Sequence, residues 1–364
     1  MPQSRKPSAP SHASGPVQGL RIVAIGGGTG LSTLLKGLKK YVTSVDSPVF
    51  SEFQSDTWSG SQPDSAPRIS ELSAIVTVSD DGGSSGRLRK DFNMLPPGDI
   101  RNCIVALSQD DAMLSRLFQH RFAQGSGLEG HSFGNLFLAA LTSITGDFSE
   151  AVRLSSEILA TRGRIYPATA SNVELEALMA DGTRVRGESQ ITASKGRIRS
   201  LSLVPADVEP LRETLEALSR ADLITIGPGS LFTSLIPNLL VRGIAEAIAQ
   251  SPARKVYICN LMTQANESLG RSAADHIRAL TEHAGRKIFD FALINQTPAS
   301  GDLKSRYSRE GATEVTADLD AVNAMGVEAV LGDYMVEGDV ARHDTDKLAI
   351  DLLRLAKSAA AVDS

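Results

Sequence analysis

Apolar residues along this chain fall either into short unbroken runs or into helical spacing, and the two patterns alternate. Residues 20–25 (LRIVAI) are an apolar run ending in glycine, and residues 31–41 (LSTLLKGLKKY) space leucines around a helix with lysines between them. The pair predicts strand, glycine turn, helix. A second strand is expected at 74–78, and helices at 100–107, 112–122, 133–142 and 148–159. From residue 164 apolar and polar residues alternate instead, and Asp181-Gly182 marks a hairpin, so residues 164–204 read as a small antiparallel β lobe. Three further buried strands lie in ADLITIGPGS, RKVYICN and DFALIN, each running into a polar or glycine-bearing loop. The sum is an α/β fold with a mostly parallel sheet flanked by helices.

Two stretches break the pattern. Residues 43–70 are rich in Ser, Pro and Asp without sustained period and read as a surface insertion. Residues 1–19 are rich in Ser, Pro, His and Gly and read as a disordered tail, leaving 20–360 as one domain.

Composition changes this picture only at its edges. With 37 basic against 42 acidic residues the net charge is −5, which gives the whole molecule no reason to bind nucleic acid. The two cysteines, Cys103 and Cys259, lie in apolar or motif-like segments and fit a reducing compartment, so a cytoplasmic protein is expected. No run of eighteen apolar residues predicts a membrane span. A homodimer fits these numbers as well as a monomer does.

In an open parallel sheet, ligands bind where the loops after the strands converge. Five loops qualify: GGGTG (26–30), SDDGGSSG (79–86), GPGS (227–230), NLMTQ (260–264) and Asn295-Gln296. The first offers successive backbone N–H groups at a helix start, a place that holds phosphate. It is not a Walker loop, and Leu31 stands where a dinucleotide fingerprint needs its third glycine. GPGS could embrace the same ligand from the other side. In SDDGGSSG, Asp80 and Asp81 either hold Mg²⁺ together or divide between capping a turn and facing the ligand. Arg87, Arg89, Lys90 and Arg101 form a basic cluster that reads either as a solvated face or as a diphosphate or carboxylate site. His131, Ser132 and Asn135 open an apolar helix, where His131 is an acid–base candidate or a structural cap. No Ser-His-Asp order, catalytic cysteine or His/Cys metal spacing stands out.

The segments GGGTGLS, TVSDDGGSSGRLR, PPGDIRNC, HSFGNLFL, GPGSLFTSLIPNLL and CNLMTQ, in this order, resemble the bacterial gluconeogenesis-factor (YvcK-like) family, related to the CofD-like 2-phospho-L-lactate transferases. The resemblance implies a Rossmann-like fold that binds UDP-N-acetylglucosamine and a regulatory role linking carbon-source control to cell shape and wall synthesis, exercised through a protein partner. It places Gly27, Gly28, Thr29, Gly30, Gly227, Gly229, Ser230 and Asn260 at the nucleotide and matches Asp80, Asp81 and Ser84 to the loop after the second strand. Arg271 stands where the family often carries an aromatic residue, and Arg306 falls in its later arginine-containing segment, so both are anion-binding candidates beside Arg101 and Asn135. The rival expectation is a Mg²⁺-dependent transferase of phosphorus-containing groups using Asp80 or Asp81. A plain dehydrogenase would fit the first glycine turn but leaves SDDGGSSG unexplained.

Overall fold

The computed structural model describes residues 19–43, 68–109, 112–194 and 196–360. The expected tail up to residue 18 and all but the ends of the expected insertion lie outside the described residues. In chain order the strands are β1 (Leu20–Gly26), β2 (Ile69–Val76), β3 (Arg164–Pro167), β4 (Glu174–Met179), β5 (Arg184–Arg186), β6 (Ile198–Val204), β7 (Leu223–Ile226), β8 (Arg254–Ile258), β9 (Phe291–Asn295), β10 (Glu328–Gly332), β11 (Met335–Glu337) and β12 (Ala341–His343).

Seven of them form one parallel sheet in the order β10-β9-β8-β7-β1-β2-β3. Such strands are covered on both faces, which is why LRIVAI, LITI and ALI read as continuous apolar runs. The chain moves outward from β1 to β3 on one side, then returns to β7 beside β1 and continues outward on the other. The order therefore reverses between β1 and β7, where an open α/β sheet leaves a crevice at its carboxyl edge. Helix Gly28–Lys39, which follows β1, buries Leu31, Leu34, Leu35 and Leu38 and packs against helices Gly98–Leu107 and Thr345–Ala360.

Three expectations are corrected. Strand β2 begins at Ile69, so residues 69–70 belong to the sheet, and Ile69 N–H donates to the Tyr41 carbonyl across the span. Residues 164–167, expected in the antiparallel lobe, pair in parallel with β2 as the sheet's edge strand. The antiparallel sheet is β5-β4-β6, with the Asp181-Gly182 hairpin joining β4 to β5 and helix Glu188–Ala193 inserted before β6. Finally, the loop expected to run through Gly86 gives way to a helix at Gly83, Gly83–Phe92. Among the described residues no single helix is long and apolar enough to cross a membrane.

Candidate functional site

The five candidate loops follow β1, β2, β7, β8 and β9, all strands of the parallel sheet, so all five emerge on its carboxyl edge. The two glycine turns flank the β1/β7 crevice and touch. A Cβ on Gly30 would lie 2.3 Å from the Pro228 carbonyl oxygen, so only glycine lets the first helix approach the second turn this closely. Gly28 opens that helix at φ +61, and the Gly27 cap lacks a side-chain hydrogen bond. Its first turn also lacks an acid, which leaves the amide end of the helix dipole to partners from elsewhere. Asn238, fully buried, holds the first turn in place by donating to the Gly26 carbonyl at 3.2 Å.

Those partners are acids from other elements. A Cβ on Gly27 would meet Asp99 Oδ2 at 2.7 Å, and the Gly28 amide hydrogen-bonds the Asp99 carboxylate. Burial pushes the Asp99 carboxyl up to about 6, with Asp80 adding to the rise and the Gly28 amide and Arg101 opposing it. Glu188, from the small lobe, accepts from Ser79 Oγ at 3.4 Å and is pushed up to about 9 by burial and then by Asp80, Asp99, Asp81 and Glu267. It is a carboxyl held protonated at neutral pH. Glu267 accepts from the Phe232 and Thr233 amides at 2.7 and 3.2 Å. It thereby caps the helical segment after the second glycine turn, so those amides face a protein carboxylate.

The two adjacent acids of SDDGGSSG divide. Asp80 Oδ1 accepts from the Gly82 amide at 2.8 Å, and Asp81 Oδ1 takes the Ser189 amide and hydroxyl at 2.8 and 2.6 Å. Asp81 thus ties this loop to the small lobe while Asp80 faces Asp99 and Glu188. Among the described residues no group of three His, Cys, Asp or Glu side chains is placed to hold a metal ion. Each acid of the expected Mg²⁺ pair keeps its Oδ2 free of those bonds, but Asp81 Oδ2 lies against the lobe, 2.6 Å from where a Cβ on Gly187 would stand.

Ser84 and Asn135 meet in a buried network: Asn135 Nδ2 donates to Ser84 Oγ at 3.1 Å, and Ser84 Oγ lies 2.9 Å from His131 Nδ1. Gly227 takes φ +91, and Gly229 lies against Ser234 and the Gly27 carbonyl. Ser230 Oγ accepts from Gln264 at 2.9 Å, while the buried Asn260 Oδ1 has no hydrogen-bond partner.

The remaining candidates lie elsewhere. Arg101 reaches Asn102 and Gly134 rather than the glycine turns. Arg271 places its guanidinium 5.1 Å from the Phe232 ring centroid and donates to the Ile198 carbonyl of β6, a contact that docks the lobe. Arg306, on helix Gly301–Ser308, donates to the Gly338 and Asp339 carbonyls of the β11–β12 hairpin. An open groove of about 470 Å³ lies beside the fifth loop at the ends of β9 and β10, lined in part by Gln296, Thr297, Asp333 and Lys347.

Sequence reasoning missed Asp99, Glu188 and Glu267 as site residues. Asp99 was in view within PPGDIRN, but the other two are isolated acids whose role depends on which strand end they face.

Residues 22–335 match the family of the 2-phospho-L-lactate transferase CofD. A gluconeogenesis factor of Halalkalibacterium halodurans is 47% identical over 334 residues, covering 91% of this chain and 95% of the relative. The gluconeogenesis factor of Bacillus subtilis is 46% identical over 339 residues, covering 92% and 98%. A crystal structure of a upf0052-family protein from Bacillus halodurans superposes with a TM-score of 0.83 at 45% identity, covering 92% of this chain and 99% of that one. With the glycine turns, the strand order and this extent of likeness in place, the chain belongs to the CofD family, among its gluconeogenesis-factor (YvcK-like) members.

Proposed function

We propose that this protein binds a UDP-sugar, UDP-N-acetylglucosamine, in the crevice between β1 and β7, and that it acts as a regulator linking carbon metabolism to cell shape and wall synthesis. The observation that carries the reading is the contact of two glycine turns at the reversal of strand order, beside a helix start that has no side-chain cap of its own. The acids around that start suit the hydroxyl-rich part of such a ligand, since carboxylates accept from sugar and ribose hydroxyls. Asn260 supplies a further acceptor. The link to carbon metabolism is supported by the relatives' names, and the regulatory output would pass through a protein partner.

Calorimetric titration of the protein with UDP-N-acetylglucosamine should give saturable binding, lost in Gly28→Val, where a branched side chain at φ +61 displaces the turn. Unchanged affinity in a folded Gly28→Val protein contradicts the site.

A second reading is a transferase of phosphorus-containing groups. It is favoured by the family match and by the gathering of Asp80, Asp99 and Glu188, whose crowding a divalent cation would relieve. Mg²⁺ commonly takes one or two protein carboxylates plus ligand phosphates, and Asp80, which faces Asp99 and Glu188, is the acid of the pair placed in that gathering. When bound, the ion would neutralise phosphate charge. Chromatography of the titration mixture separates the readings: intact UDP-sugar supports the regulator, and a Mg²⁺-dependent product supports the transferase.

A further inference from the structure

Three arginines from three segments meet around the turn at residues 130–134, apart from the glycine turns. Arg87, on helix Gly83–Phe92, donates to the Glu129 carbonyl at 2.7 Å, and its Nη2 would lie 3.0 Å from a Cβ on Gly130. Arg121, in the bridge to Ser132, donates to the Gly130 carbonyl. Arg101, on helix Gly98–Leu107, runs past Gly134, where a Cβ would stand 2.9 Å from its Cδ. Their fields overlap. The Arg101 guanidinium is lowered by burial and then by Arg121, and His131 is lowered by burial, Arg87 and Arg121.

Many arginines elsewhere in this acidic chain pair with carboxylates, as Arg21 with Asp222, Arg184 with Glu176 and Arg278 with Asp275, while Arg89, Arg271 and Arg306 donate to backbone carbonyls. Among the described residues neither Arg87, Arg101 nor Arg121 has an ion pair. The nearest acids act at longer range, Asp99 on Arg101 and Asp91 on His131. Arg101 Nε is buried without a partner, its Nη2 being used by Asn102.

The residues beside them are polar and buried, with Asn135 Oδ1 an acceptor without a partner. Ser84, His131 and Asn135 are 4%, 5% and 2% exposed. Ser84 Oγ receives the Asn135 amide and lies 2.9 Å from His131 Nδ1; in the tautomer where Ser84 gives its proton to Nδ1, the imidazole proton sits on Nε2. Guanidinium forks beside a neutral imidazole N–H recognise tetrahedral oxyanions.

We propose that Arg87, Arg101, Arg121 and His131 form a phosphate-binding subsite, separate from the glycine turns, that takes the phosphomonoester of a second small ligand. The assignment is independent of the UDP-sugar reading. Its test is calorimetric titration of the full chain with inorganic phosphate, at ionic strength held constant with chloride, with and without saturating UDP-N-acetylglucosamine. The expected result is saturable phosphate binding that persists with the UDP-sugar present. It should weaken at least tenfold in Arg87→Gln and Arg121→Gln and stay unchanged in Arg153→Gln, an exposed arginine already paired with Glu150. Should Arg121→Gln fail to fold, Arg121→Lys keeps the charge but loses the fork, and a several-fold loss is expected. Displacement of phosphate by the UDP-sugar, an equal loss in Arg153→Gln, absence of saturable binding, or tighter binding of malonate than of phosphate would each overturn the assignment.

Discussion

At the scale of single residues, the crevice is defined by protonation as much as by shape. Glu188 has a folded pKa near 9 against an ordinary value of 4.5, so its folded form holds a proton that the unfolded chain releases. A raised carboxyl of this kind adds stability that is complete below pH 4.5 and is lost as pH climbs toward 9. Glu188→Gln removes that dependence. The variant should therefore gain on the parent between pH 5 and pH 8, by up to about 4 kcal/mol at 1.36 kcal/mol per unit. Denaturant unfolding at the two pH values measures it, and a constant difference between variant and parent would mean that Glu188 ionises freely. Asp99 shares this environment, yet the shifted protonation of neither acid was legible in the sequence. Burial and neighbours arriving from other strands shift them, and a linear pattern holds no record of that.

At the scale of elements, the antiparallel lobe shares the hydrophobic core of the sheet domain, with β6 packed against helix Ile236–Leu240, and polar contacts line the same seam. Arg271 spans Phe232 and the Ile198 carbonyl, Asp81 caps helix Glu188–Ala193, and His283 Nε2 accepts from the Leu201 amide at 3.0 Å. The last contact needs a neutral imidazole, consistent with the downward shift that burial gives His283. Arg271→Ala removes a cation–π contact and a hydrogen bond, a loss of about 1 kcal/mol. It should speed hydrogen exchange at the β6 amides while leaving β1 and β7 protected. Unchanged β6 exchange with weakened UDP-sugar affinity would instead return Arg271 to the ligand. The hairpin was readable from Asp181-Gly182, whereas β3 was misplaced. RIYP is too short and too evenly mixed to distinguish the edge of a parallel sheet from an antiparallel strand.

At the scale of the whole molecule, the parallel sheet was legible because its strands are covered on both faces and so are written as apolar runs. The five loops could be chosen from sequence for the same reason: each follows such a run. What the runs could not show was the strand order. Only the return of the chain to β7 beside β1 brings GGGTG and GPGS into contact, and it leaves Arg306 bonded to the β11–β12 hairpin and Arg101 with Arg121. The central claim is thus about place: a UDP-sugar sits where those two turns meet. Hydrogen exchange of the protein with and without UDP-N-acetylglucosamine tests it most directly. Slowed exchange at the Gly28, Thr29 and Gly30 amides and in the segment after Gly227 is the predicted result. Protection confined to the β9–β10 groove or to the Arg87–Arg121 cluster, with those amides unchanged, would contradict it.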